Sequence, residues 1–157
     1  DLSSLPPKSR TGTIVGWGIP LLILSMIIST FTVDTELGMK QLSTWVLWNG
    51  SMAALGTILT AGHPLSVVVA FIAAPFTSLN PLLAAGWFAG LSEAYLKRPS
   101  VEDFERLPTD LFTFKGFWNN KVTHILLVVS VANLGSAAGT FVGGTAIVKL
   151  FLKVISG

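Results

Sequence analysis

The sequence predicts an all-α, polytopic helical membrane domain with four to six membrane segments, one of them a hairpin broken by proline and asparagine. Three observations carry this. Hydrophobic residues make up 51% of the 157 residues and charged ones only 11%, against roughly a quarter charged in an ordinary soluble domain. The charges are segregated, with none from Gln41 to Ser92 or from Val122 to Val148, and about 20 apolar residues suffice to cross a hydrocarbon core. The longer charge-free stretch is interrupted by Ala74-Pro75-Phe76-Thr77-Ser78-Leu79-Asn80-Pro81, where prolines and polar side chains do not continue a helix smoothly. A net charge of +2 without any basic run is too small to suggest a nucleic-acid partner, and none is expected. With no cysteine there is no disulfide framework, thiolate nucleophile or Cys-based metal site.

In chain order, Asp1 to Arg10 is polar and carries Pro6 and Pro7, as in a linker from an upstream domain absent here. The membrane domain then occupies 11–157. The first span runs from about Thr13 to Val33, with Pro20 inside it; membrane helices tolerate this where neighbours satisfy the freed carbonyl. Asp34, Glu36 and Lys40 form a polar turn. The second span runs from about Gln41 to Ala61, with Trp45 and Trp48 near its start as interfacial aromatics. Gly62-His63-Pro64 ends it.

The broken stretch gives two legs, Pro64–Ala74 and Pro81–Tyr95. At 1.5 Å per residue they are about 16–23 Å long, short of the roughly 30 Å hydrocarbon core. A re-entrant hairpin or two half-helices follows, since open backbone at membrane depth survives only where protein or water surrounds it. The alternative is two tilted short spans joined by a surface turn. Lys97 to Lys121 forms the main polar loop. Within it Ser100 is placed to cap a short helix whose first turn holds Glu102 and Asp103. Val101, Phe104 and Leu107 share one face, which suits a membrane surface. Phe112, Phe114, Phe117 and Trp118 suit an interfacial belt. From Val122 to about Ile155, Gly135, Gly139 and Gly143 recur every four residues and allow close helix approach. This favours one long helix; the alternative is a hairpin turning near Asn133-Leu134-Gly135. Positive residues put the N-terminus and the 97–121 loop on the cytoplasmic side.

Few side chains offer chemistry. His63 stands at the foot of the broken hairpin, where an imidazole can bind a proton, metal or substrate, or simply begin a helix. Thr77, Ser78 and Asn80 sit at the tip. Groups at such breaks coordinate ions or substrates in transporters, or satisfy the broken backbone. Glu93 is the single acid in the long apolar stretch and is a functional candidate on that ground. Lys97 lies four residues later and offers an ion pair, with Arg98 and Asp103 placed to extend the network. Asn49 and Asn133 lie in apolar runs and suit interhelical hydrogen bonds. No His-Glu-x-x-His, Gly-x-Ser-x-Gly or phosphate loop occurs. A metal would need His63, His124 and Glu93 to converge. The expectation is therefore no catalytic residue, no metal and no cofactor in this chain.

Trp48-Asn49-Gly50, Gly62-His63-Pro64, the string Ala73 to Pro81, Gly86-Trp87, Glu93, Arg98-Pro99 and Asp103 together resemble the C-terminal membrane region of the TraB/PrgY family. Its bacterial members are the pheromone shutdown proteins, and it is widespread in archaea. The resemblance covers about Leu5 to Gly144, and Leu5-Pro6-Pro7-Lys8 looks like the family's link between domains. It implies an upstream domain of Tiki-type metalloprotease fold bearing Gly-x-x-His motifs and a Glu. No Gly-x-x-His occurs here, so the hydrolase site would lie in that other domain. The implied role is to anchor it in a bacterial or archaeal cell membrane and to present a peptide, pheromone-like signal or substrate to it. The glycine stripes suit a homo-oligomer. The alternative is a transporter or channel for a small solute or ion, centred on 74–81.

Overall fold

The structure, a computed structural model, describes residues 10–156. The linker expected over 1–10 lies outside the described residues except for Arg10, which opens the first helix. All regular structure among the described residues is helical. Helix α1 spans Arg10–Val33 and α2 spans Thr35–Leu59. Only Asp34 separates them. It caps α2, its carboxylate accepting from the Leu37 N–H at 3.0 Å. The polar turn expected over 34–40 is thus the first turn of α2. A cap at Asp34 and an acid, Glu36, beside the positive helix end explain the earlier start. The corner is tight because Gly38 lies against the Phe31 ring, where a Cβ would come within 2.7 Å.

Helix α3 spans Pro64–Thr77 and α4 spans Ala85–Lys97. Both legs of the broken hairpin form, but the first runs past Ala74 and the second starts later than Pro81. Pro64 sits at the first helical position of α3, where its missing N–H is no loss. Pro75 lies in the last turn, so few hydrogen bonds are forfeited. It leaves the Phe71 carbonyl without its helical donor. That oxygen abuts Gly50 of α2, where a Cβ would stand 2.8 Å from it. The stretch 78–84 is not helical, and the Asn80 side chain closes its turn by accepting from the Leu82 N–H at 3.0 Å.

Three short helices follow: α5 (Val101–Glu105), α6 (Leu107–Asp110) and α7 (Phe114–Asn119). The expected Ser100 cap is present as a reciprocal capping box with Asp103. Helix α8, Lys121–Ser156, is one unbroken helix of 36 residues, about 54 Å long. The alternative turn near Asn133 does not form.

The glycine stripe of α8 packs on α2 of the same chain. A Cβ at Gly139 would lie 2.6 Å from the Trp48 carbonyl oxygen, and Gly135 meets the Met52 carbonyl as closely. The α2–α8 pair is the backbone of the fold, and the other elements share its flank end to end. Near one end, Ala53, Ala70, Ala74, Ala85, Ala89, Val128 and Ala132 form a core of small residues between α2, α3, α4 and α8. Near the other, Ile23, Ile27, Trp45 and Ile147 join α1 to α2 and α8, and Leu79 of the hairpin tip packs on this second core. Large apolar side chains face outward, with Ile14 71%, Phe76 72% and Phe141 76% exposed. Of the expected four to six membrane segments, α1 and α8 are by themselves long and apolar enough to cross a membrane.

Candidate functional site

The hairpin has a polar centre at each end. At the tip, Asn49 projects from the middle of α2 and is fully buried. Its carboxamide oxygen accepts from the Ser78 hydroxyl at 2.6 Å and from the Thr140 hydroxyl at 2.8 Å. Its amide nitrogen donates to the Trp45 carbonyl at 3.1 Å. Ser78 also meets the Ser136 hydroxyl at 3.0 Å. The Trp45 indole N–H donates to the Pro75 carbonyl at 3.1 Å. Four side chains from α2, α8 and the hairpin thus saturate one another. Asn133 of α8 acts nearby: its oxygen accepts from the Gly86 N–H at 2.7 Å. Ala84 brings no capping side chain to α4, so α8 supplies the cap that the leg itself lacks. A cavity of about 500 Å³ opens beside this centre, lined by Thr77, Ser78, Asn133, Ser136 and Thr140 among others.

Glu93 organises the other end. It is fully buried. One carboxylate oxygen accepts from the His63 N–H at 2.9 Å and the Ser66 hydroxyl at 2.7 Å. The other pairs with the Lys97 ammonium at 3.0 Å. The same ammonium lies 2.7 Å from Nδ1 of His124, whose ring meets Trp118 edge-on. In the tautomer that carries its proton on Nε2, His124 accepts from this ammonium through Nδ1. The carboxylate, ammonium and imidazole close the foot of the hairpin against α8.

Several expectations are corrected. His63 does not join Thr77, Ser78 and Asn80, because the whole of α3 separates them. Its ring caps α3 instead, accepting from the Leu65 N–H at 3.1 Å. The Thr77 hydroxyl bonds back to the Ala73 carbonyl at 3.0 Å, and Asn80 serves its own turn. Of the tip candidates only Ser78 enters the buried cluster, and one of its partners there, Asn49, is a residue the sequence marks for helix packing. Glu93 and Lys97 pair as expected, but Arg98 and Asp103 do not join them. Arg98 takes a left-handed backbone, φ 45°, that ends α4. Asp103 turns to Ser100, accepting from its N–H at 2.7 Å and its hydroxyl at 2.8 Å. Those bonds, the backbone one foremost, hold its carboxyl below the usual carboxylate range. Asn120 anchors the loop to the start of α8, donating to the Asp103 carbonyl at 2.7 Å and to Asp110 at 2.9 Å.

Ser66, Ser136 and Thr140 were not singled out as site residues in the sequence, and His124 was named there only as a would-be metal partner of His63 and Glu93. For Ser66 a signal existed, since it and Glu93 lie equally far from the Leu79–Asn80 bond on opposite legs. Among the described residues no group of His, Asp and Glu side chains is arranged to hold a metal ion.

Residues 11–152 match the model of the TraB family protein C-terminal domain. An uncharacterized protein of Methanocaldococcus jannaschii is 31% identical over 139 residues, which is 85% of this chain and 35% of that protein. The chain therefore spans about a third of the length of this relative. No solved structure matches. A fold of helices alone and a family match running almost end to end agree with the motif string around Ala73 to Pro81: the chain belongs to the TraB family, as its C-terminal domain.

Proposed function

We propose that this is a membrane-embedded domain that anchors a separate domain of the same protein and presents a peptide or pheromone-like signal or substrate to it, with no catalytic role of its own. In this reading α1, α2 and α8 cross the bilayer, and α3 and α4 enter and leave from one side. The observation that carries it is the seating of the hairpin tip on Asn49. Ser78 reaches Asn49 and Ser136, well away from either end of α2 and α8, where no charged residue occurs. Broken backbone in hydrocarbon is tolerated in such a place because protein encloses it.

A scaffold is favoured over a transporter by the same contacts. Asn49 and Ser78 spend their hydrogen bonds on one another and their neighbours. The α2–α8 pair is in backbone contact through Gly135 and Gly139, which leaves little room for sliding. The glycine stripe is occupied by α2, so self-association would use the outward apolar faces.

The native chain has no cysteine, which makes topology directly testable. His63→Cys in sealed vesicles should react with a membrane-impermeant thiol reagent from one side only, and Asn80→Cys from neither. Reaction of the two from opposite sides would mean that the hairpin crosses, and the re-entrant reading would fall. Vesicles holding the purified chain should pass no ions, protons or peptides. Flux that disappears in Asn80→Ala with helicity retained would replace the scaffold with a transporter.

A further inference from the structure

Glu93 engages its two carboxylate oxygens unequally. Oε2 is taken twice over, by the His63 N–H and the Ser66 hydroxyl. Oε1 is buried and has no hydrogen-bond partner among the described residues. Two nitrogens face it, the Lys97 ammonium at 3.0 Å and Nδ1 of His124 at 3.8 Å. Those two nitrogens stand 2.7 Å from each other. A single anionic oxygen thus has two claimants that are themselves in contact.

The triangle suits one charge state of the imidazole. With His124 neutral, its Nδ1 lone pair and the carboxylate both receive the ammonium, and one anion balances one cation. With His124 protonated, Nδ1 becomes a donor, and two cations meet at hydrogen-bond distance over one carboxylate in a desolvated place. One of them must leave. His124 is held, being 5% exposed, met edge-on by Trp118 of α7 and bonded by the Thr60 backbone. From 3.8 Å, a shift of about 1 Å gives its ring a charge-assisted bond to Oε1. Lys97 is free to go: its side chain is 30% exposed, and it is the last residue of α4, next to the left-handed Arg98. Among the described residues the charged groups facing the ring are Lys97 and Glu93, both from α4. Helix α3 contributes the Ser66 hydroxyl and the His63 backbone, each through Glu93. Lys121, on α8 itself, is drawn to Asp103, and the His63 ring is engaged at the Leu65 N–H.

We propose that the foot of the hairpin is a proton-operated latch, in which Lys97 and protonated His124 compete for Oε1 of Glu93. Neutral His124 keeps the ammonium in place and α4 closed on α8. Proton uptake hands Oε1 to the imidazolium, releases Lys97 to solvent and loosens the last turn of α4, where the 98–120 loop begins.

The test follows the His124 ring and Lys97 Cε signals of the full chain in detergent micelles by NMR, from about pH 8 to about pH 4.5, just above the ordinary glutamate value. His124 should titrate, and the Lys97 signal should shift at the same midpoint. Exchange protection of the Ala94–Arg98 amides, corrected for intrinsic rates, should fall about ten-fold across it. In Lys97→Met the carboxylate is left to His124 alone, and the ring should hold its proton to a pH about one unit higher. His124→Asn keeps an acceptor near the place of Nδ1 but cannot titrate, so Lys97 should stay in place throughout. A His124 ring that does not titrate, or titrates without Lys97, overturns the proposal. An unchanged midpoint in Lys97→Met overturns it as well, since nothing then competes. Release of Lys97 that persists in His124→Asn overturns it in favour of protonation at Glu93. Should either variant lose its helicity at the alkaline end, the two midpoints of the unaltered chain decide alone, by coinciding or not.

Discussion

At the hairpin tip one carboxamide, that of Asn49, joins α2, α8 and the hairpin. Asn49→Ala would leave the Ser78 and Thr140 hydroxyls without their shared acceptor. Each hydroxyl keeps a backbone carbonyl within reach, at Ala74 and Ser136, so the cost is that of lost bonds rather than of orphans. A loss of about 2 kcal/mol is expected, read as a lower thermal midpoint in detergent. Gln41 is the opposite case. It is fully buried, its amide nitrogen reaches the Ile147 carbonyl at a long 3.3 Å, and its oxygen has no partner among the described residues. Gln41→Met should be neutral or stabilise by about 1 kcal/mol, since an unsatisfied buried acceptor costs about that or more. At the foot, Glu93→Leu alone should cost about 3–5 kcal/mol by stranding Lys97 beside His124. Glu93→Leu with Lys97→Leu should recover much of it. A double variant as unstable as the single one would show that Ser66 and the His63 backbone, rather than Lys97, depend on the carboxylate.

Among the elements, the hairpin shows how far sequence reasoning reaches. Its existence is legible because prolines and small polar residues break a charge-free stretch. Its seam is legible in retrospect. Ser66, Ala70 and Ala74 recur at every fourth residue, as do Ala85, Ala89 and Glu93, and the two sets mirror each other about the Leu79–Asn80 bond. All six are buried, so the repeat marks the contact line of α3 on α4. The depth of the tip was not legible, because Asn49 and Ser136 belong to helices far away in sequence and no local spacing announces them. Nor was the fate of the glycine stripe, since close-packing residues do not say which helix they meet. The start of α2 was misplaced for a different reason: charges near a helix N-terminus look like a turn until Asp34 is recognised as its cap. The Ser100 cap of α5 is legible because the cap and the first-turn acids lie within three residues of one another, whereas the bond that Asp103 returns to Ser100 is not. The capping box also carries a pH dependence. The Asp103 carboxyl is held below its ordinary range in the fold, so its contribution is present above that range and is lost as pH falls through the lower folded value. The α5 signals in an NMR titration should fade in that acidic window, and Asp103→Asn should abolish the dependence.

For the molecule as a whole, everything rests on the α2–α8 pair, and substitution at its closest approach tests that. Gly139→Val would press a branched side chain against the Trp48 backbone. A loss of about 3 kcal/mol is expected from forced separation, with release of both α1 and the hairpin, measured as increased proteolysis between α2 and α3. The corner at Asp34 adds a mechanical property to this architecture. Two soft torsions are all that a single residue provides, and at Asp34 they are set at φ −145° and ψ 106°. With the carboxylate clasped by the next helix, α1 and α2 act as a bent lever rather than a chain with a joint. A twist applied at Arg10 would arrive at Trp45 largely undamped. Whatever load the domain bears at that end is delivered to its centre, and inserting a pair of glycines after Asp34 would disconnect the two.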